Sequence, residues 1–134
     1  MEILLVPPKQ IPLLWDEVEP IIDKALHGEE ELKAVDFLDS LEQADSLMWI
    51  IVDGTEIESV VVGTPTQYPR KKSLSIDTWG TKSGYKFDEV YPLIEEIKKL
   101  ARNIGCDFIE AKVRKGLAKK LKWNDKHSLV TLTL

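Results

Sequence analysis

Residues 46–64, "SLMWIIVDGTEIESVVVGT", restrict this chain more than any other stretch. Two β-branched, apolar runs flank Asp53-Gly54. Asp-Gly between such runs is the strongest short-range hairpin signal, because the tight turn needs positive φ and glycine adopts it freely. The chain must therefore build a sheet. "TPTQYPRKK" follows as a predicted turn with two prolines and a basic tip, and "SLSIDTWG" as a third strand of a meander. Strict alternation would send Leu74, Ile76 and Thr78 to one face and Ser75, Asp77 and Trp79 to the other.

The segments around the meander have helical period. From Pro12 to Leu26 the apolar positions are Leu14, Trp15, Val18, Ile21, Ile22, Ala25 and Leu26, one stripe of a helix. Pro12 suits its first turn and Pro20 predicts a kink. A second helix is predicted over residues 30–43, with Leu32, Val35, Leu38 and Leu41 on one side; its acidic start, Glu29-Glu30-Glu31, suits the positive end of the dipole. Residues 88–104 carry Val90, Ile94, Ile97, Ala101 and Ile104 as the clearest stripe, and Gly105 stands where a helix-ending glycine belongs. Short strands are predicted over residues 1–6, 106–113 and 128–134, and a short basic helix over 115–121. The order is β-α-α-β-β-β-α-β-α-β, an α/β fold (an α+β mixed sheet) with helices on both faces.

A chain of 134 residues, 43% apolar and 31% charged, is one soluble domain spanning 1–134. Its longest apolar run, residues 47–52, is far short of a membrane span. "MEILLVPP" has no basic region and no long apolar stretch, so no secretory leader is expected. The single cysteine, Cys106, excludes an internal disulfide and a cysteine zinc site, and its apolar strand predicts a buried, inert thiol. His27 and His127 lie far apart without ligand spacing, so no metal is expected. The net charge of −5 divides unevenly: residues 1–69 hold 3 basic and 15 acidic side chains, residues 70–134 hold 15 basic and 8 acidic. Either the halves neutralise each other across the folded surface or the molecule has an acidic and a basic face.

The element order resembles the GNAT acetyltransferase fold from end to end. Residue blocks resemble a group of short tailed-bacteriophage proteins with a GNAT-like fold: Met48-Trp49 opening the hairpin, "YPRKK" over Tyr68 to Lys72, "IGCDFIE" over Ile104 to Glu110, and Arg114 with Gly116 as "R-x-G". Those proteins often carry a tryptophan after "R-x-G"; this chain has Leu117, with Trp123 six residues later. The resemblance implies host cytoplasm or virion as the location.

In a GNAT enzyme acetyl-CoA lies where two parallel strands splay apart, which the resemblance maps to residues 74–80 and 106–113. A glycine-rich loop and the following helix N-terminus hold its pyrophosphate. This chain has "GTKSGYKFDEV" instead. Gly80 and Gly84 could shape the loop and Lys82 could meet a phosphate, with Lys119 and Lys120 available to the 3′-phosphate. Asp88-Glu89 at the helix start would repel an anion. The resemblance also asks for a base, for which Asp77 and Glu110 are the candidates, and for a tyrosine acid, which "KGLAKKLKW" lacks.

The basic segment gives the competing readings. Arg70, Lys71, Lys72, Arg114, Lys115, Lys122 and Trp123 are candidates for partner contact. Phosphate contacts to a nucleic acid would use them too, yet the chain has a pI near 5.1 and no nucleic-acid-binding motif, so a protein partner is the stronger expectation. The residues alone thus favour a degenerate, non-catalytic GNAT-like protein that binds a partner or belongs to a virion. The alternatives are an acetyl-CoA-dependent N-acyltransferase with an atypical pyrophosphate loop and, behind it, nucleic-acid binding by the basic half. No cofactor is expected apart from acetyl-CoA in an active enzyme, and no membrane.

Overall fold

A computed structural model describes residues 1–26, 32–82, 87–112, 124–126 and 129–134. The elements are β1 (Glu2–Leu5), α1 (Ile11–Ala25), α2 (Val35–Glu42), β2 (Leu47–Asp53), β3 (Glu56–Gln67), β4 (Lys72–Thr81), α3 (Phe87–Val90), α4 (Ile94–Asn103), β5 (Phe108–Lys112), β6 (Asn124–Lys126) and β7 (Leu129–Thr133). They build one seven-stranded sheet in the order β1-β2-β3-β4-β5-β7-β6. β4 and β5 are parallel, and every other neighbouring pair is antiparallel. The single parallel pair is the geometric consequence of the α3–α4 crossover.

Each face of the sheet has its own core. Ile11, Trp15, Val18, Ile21, Ile22 and Leu26 of the first helical segment pack on Met48, Ile50, Val60 and Val62. Ile94, Ile97 and Ala101 of α4 pack on Trp49, Val61, Leu74 and Ile109 of the opposite face. Alternate residues of β2 and β3 feed the two cores, which is why these central strands read as continuous apolar runs.

The expected elements that fall on described residues are present, with changes. The helix expected to kink at Pro20 runs as one element through it. α2 starts later than its apolar pattern predicts. Asp36 reaches back to the Lys33 amide (2.8 Å), and Asp23 of α1 accepts from the Ala34 amide (2.7 Å), so two carboxylates fix the start. Residues 29–31 lie outside the described residues. The long helix expected over residues 88–104 is interrupted by a 3-10 turn at Tyr91–Leu93, where Pro92 lacks the N–H that a continuous helix would use. The predicted turn at residues 64–72 is mostly strand: Thr64 to Gln67 continue β3, and only residues 68–71 turn. Beyond Gly63, β3 pairs with β4 alone, so Pro65 sits on a one-sided edge where a missing donor costs little. The stretch 124–126, for which no element is predicted, is β6 against β7. The basic helix expected over 115–121 lies outside the described residues.

Two helix ends close in the same way. After α4, Cys106 N–H donates to Ala101 (2.8 Å) and Gly105 N–H to Arg102 (3.0 Å), with Gly105 at φ +83. After α2, Asp45 N–H donates to Ser40 (2.9 Å) and Ala44 N–H to Leu41 (3.3 Å), with Ala44 at φ +63. Both are six-to-one and five-to-two closures. The second places a Cβ in the left-handed region, which disfavours it. Gly80 has a different reason to be glycine. It is buried where α1 crosses β4, and a Cβ there would collide with the Ile21 carbonyl oxygen.

Two substitutions test these points by denaturant unfolding. Ala44→Gly is expected to stabilise the fold by about 0.5–1 kcal/mol, the relief of left-handed strain less the added chain entropy. Gly80→Ala is expected to destabilise it by about 1–3 kcal/mol, because α1 must move off the sheet.

Candidate functional site

The site is set by one irregularity in β4. The β3–β4 register runs Val61↔Trp79 and Val62↔Thr78, then Gly63↔Ile76, so Asp77 is an extra residue without a Cα partner on β3. A bulge reverses the parity of everything beyond it. Trp79 therefore packs with Leu74 and Ile76 on the α4 face instead of sharing a face with Asp77, as strict alternation predicted. Its indole N–H donates to Ser59 Oγ (3.0 Å), and Ser59 donates to the Gly80 carbonyl (2.7 Å), which fixes the strand just beyond the bulge.

The parallel ladder ends at the same place. β4 pairs β5 from Ser73↔Phe108 to Ile76↔Ala111, yet β4 continues to Thr81. Among the described residues no strand pairs with the β5 side of residues 77–81. Asp77 is thus the first residue of β4 beyond its described pairing with β5, and residues 113–123 lie outside the described residues.

Behind Asp77 a polar row crosses the sheet. Thr64 pairs with Ser75, Ser75 with Glu110 and Glu110 with Thr131. Cross-strand partners share a face. Glu110 is only 7% exposed, and its Oε1 accepts from Tyr68 Oη (2.6 Å) and Ser75 Oγ (3.0 Å). Thr66 Oγ1 lies 3.1 Å from Ser75 Oγ and donates to the Thr64 carbonyl (3.3 Å). Asp77 Oδ2 accepts from Thr64 Oγ1 (2.5 Å). The Thr64 hydroxyl has one proton, so Ser46 must supply the one between Ser46 and Thr64 (2.8 Å). The two candidate carboxylates thus lie on neighbouring strands of one face. Each accepts from hydroxyls, and neither forms an ion pair among the described residues.

Their surroundings shift two titrating groups. Desolvation pushes the Asp77 carboxyl up, and the Thr64 hydrogen bond partly opposes it. The Tyr68 phenol is also pushed up, first by its hydrogen bond to Glu110, then by desolvation and by Glu110's charge, with Ser73 opposing. Tyr68 belongs to this site, although sequence reasoning placed it only in a turn and looked for a tyrosine acid at residues 115–123. No local signal marks it. Only the hairpin register, 42 residues from Glu110, brings the two together.

The other candidates are dispersed. Gly80 is taken up by the α1 crossing. Lys82 lies 3.6 Å from Glu56 in a solvent-open pair of small energetic weight. Lys72 is not displayed like its neighbours: its Nζ donates to the Ile104 carbonyl (2.7 Å) at the α4 C-terminus, and Asp107 accepts from its amide (3.0 Å). Arg70 and Lys71 are exposed at the turn tip. Gly84, Arg114, Lys115, Lys119, Lys120, Lys122, Trp123, His27 and His127 lie outside the described residues. Cys106 is a free, buried thiol pushed up by desolvation, as expected, although it closes the end of α4 two residues before β5 instead of lying in the strand. No group of metal-ligating side chains occurs among the described residues, and none of their helices is long and apolar enough to cross a membrane.

No family model matches the chain, and no curated protein matches it in sequence. Solved structures do match in fold. A probable acetyltransferase is 13% identical and superposes with a TM-score of 0.75, over 100% of this chain and 97% of its own. A GNAT family acetyltransferase from Brucella melitensis, solved in complex with acetyl-CoA, is 12% identical with a TM-score of 0.70, over 99% and 88%. A transcriptional regulator from Bacillus halodurans is 15% identical with a TM-score of 0.70, over 99% and 97%. The chain has the GNAT acetyltransferase fold.

Asp77 gives a direct test of this electrostatics. Its folded carboxyl titrates above its unfolded value, so the folded state holds the proton more tightly. Stability from this group is full below the unfolded value and is lost as pH rises through the folded one. Asp77→Asn is therefore expected to raise Tm slightly at neutral pH, and the gain is expected to vanish on acidification to about pH 3. Calorimetry across pH 3–8 reads it.

Proposed function

We propose that this protein is an N-acyltransferase that uses acetyl-CoA as donor. The observation that carries this reading is the end of the parallel ladder at Ile76–Ala111 with a desolvated carboxylate, Asp77, just beyond it. Near-complete superposition on an acetyltransferase solved in complex with acetyl-CoA supports it. The thioester end of such a donor fits the described residues, since the open edge of β4 offers backbone groups to an extended chain. For the pyrophosphate end the described residues offer Lys82, with Gly84, Lys119 and Lys120 as further candidates by sequence.

The donor supplies an activated acyl carbonyl. An amine nitrogen attacks it, the new C–N bond forms, the C–S bond breaks, and the amine must lose a proton. Asp77 is the better base of the two carboxylates, because partial desolvation of its carboxyl raises its affinity for a proton while the residue as a whole stays exposed. Glu110, fixed by two donors, provides a second negative group beside it. The leaving thiolate takes a proton from water or from a side chain.

A second reading, a non-catalytic protein that binds a partner, is supported by Arg70 and Lys71, two basic residues exposed at the tip of the β3–β4 turn. The partner would be an acidic protein surface, or a nucleic acid if affinity falls steeply with salt. A phage origin and a place in a virion are implied by the residue blocks alone.

Thermal unfolding with excess acetyl-CoA, against CoA alone, tests the leading reading. A ligand at 100 times its Kd adds about 2.7 kcal/mol, which moves Tm by on the order of ten degrees in a domain this size. No shift at millimolar donor would sink it. With donor bound, Asp77→Asn is expected to lower turnover of a primary amine by about 10²–10³-fold while leaving the thermal shift in place.

A further inference from the structure

We infer that Tyr68 is a positioning residue for the acceptor side of this site. From the turn between β3 and β4 it holds the Glu110 carboxylate in place to receive the acceptor's ammonium group. The inference rests on the acyltransferase reading and adds to it a residue, an element and a task.

The geometry argues for positioning rather than simple stabilisation. Tyr68 is 40% exposed, so its ring contributes little to either core. Its plane is set by stacking on Phe108, with centroids 6.2 Å apart and 19° between planes. Phe108 begins β5, two residues before Glu110, so the ring and its hydrogen-bond acceptor share one strand. The phenol and the Ser75 hydroxyl both donate to the same Glu110 oxygen, one from the turn and one from β4. Two donors on one oxygen fix the direction of a carboxylate whose side chain would otherwise rotate.

The turn itself is braced for this task. Tyr68 N–H donates to the Lys71 carbonyl (2.8 Å), and the Gln67 amide donates to the Tyr68 carbonyl (2.7 Å). Lys72 then pins the start of β4 to the C-terminus of α4. Among the described side chains that face Glu110, the turn contributes Tyr68, β4 contributes neutral Ser75 with Asp77 two residues along, and β7 contributes neutral Thr131. None is a cation. A cation bound there would meet two carboxylates on one polar face, and an alkylammonium acceptor has that charge.

The test uses Tyr68→Phe, which keeps the ring and its stack, together with Glu110→Gln and the double variant. The acceptor probe is whichever of lysine, spermidine or a short lysine peptide the wild type turns over fastest. Tyr68→Phe is expected to raise the acceptor KM about tenfold, the loss of one charge-assisted hydrogen bond, and to leave the acetyl-CoA KM unchanged. In the Glu110→Gln background it is expected to add nothing. The Tyr68 phenol titration, followed by ultraviolet absorbance, is expected to fall towards about 10 in Glu110→Gln. Equal changes in both KM values, additive effects, or a phenol titration indifferent to Glu110 would each overturn the role. Turnover in the wild type with an unchanged Tyr68→Phe overturns this inference alone. A wild type that binds no acetyl-CoA overturns the reaction and this role together.

Discussion

The rest of the site depends on the extra residue at Asp77. β4 is paired antiparallel to β3 on one side and parallel to β5 on the other. One added residue there does three things. It turns Trp79 onto the α4 core, it leaves Asp77 on the polar face, and it coincides with the end of pairing to β5. A regular strand would have buried neither Trp79 nor the backbone as they are. Fixing the strand beyond this irregularity falls to Gly80, which admits α1 closely, and to Ser59, which holds both the indole and the Gly80 carbonyl.

The polar row makes physical sense as a fixed environment. Serine and threonine hydroxyls carry one proton each, and the contacts order them: Ser46 towards Thr64 towards Asp77, and Ser75 and Tyr68 towards Glu110. No buried side-chain polar atom among the described residues lacks a partner. In a medium of reduced dielectric such ordered dipoles hold charge without reorganising. An aspartate whose carboxyl is pushed up on folding is a cost to stability at neutral pH.

The basic residues divide by job once the turn is placed. Lys72 serves the fold, since the α4 C-terminus attracts a cation and Asp107 ties down the same residue's amide. Arg70 and Lys71, its neighbours in sequence, serve the surface. A run of like charges therefore does not mark one surface by itself. The three superposed proteins carry the same lesson at the scale of the fold: two acetyltransferases and a transcriptional regulator share it at 12–15% identity.

The sequence by itself determined the hairpin, the apolar stripes of α1 and α4, the helix stop at Gly105 and the mixed α/β order. Each of these rests on local chemistry: turn preference, hydrophobic period and glycine's access to positive φ. It also picked out Asp77 and Glu110 as charged residues within strands. Tertiary structure alone decided what surrounds them. The bulge changed parity because a register shift depends on the partner strand, which no local pattern contains. The 3-10 break at Pro92 and the strand through Pro65 depended on which backbone groups had partners. Tyr68 reached Glu110 because a hairpin and a crossover brought distant residues into one row. Periodicity fixes which face a residue prefers, and pairing between strands fixes whom it meets there.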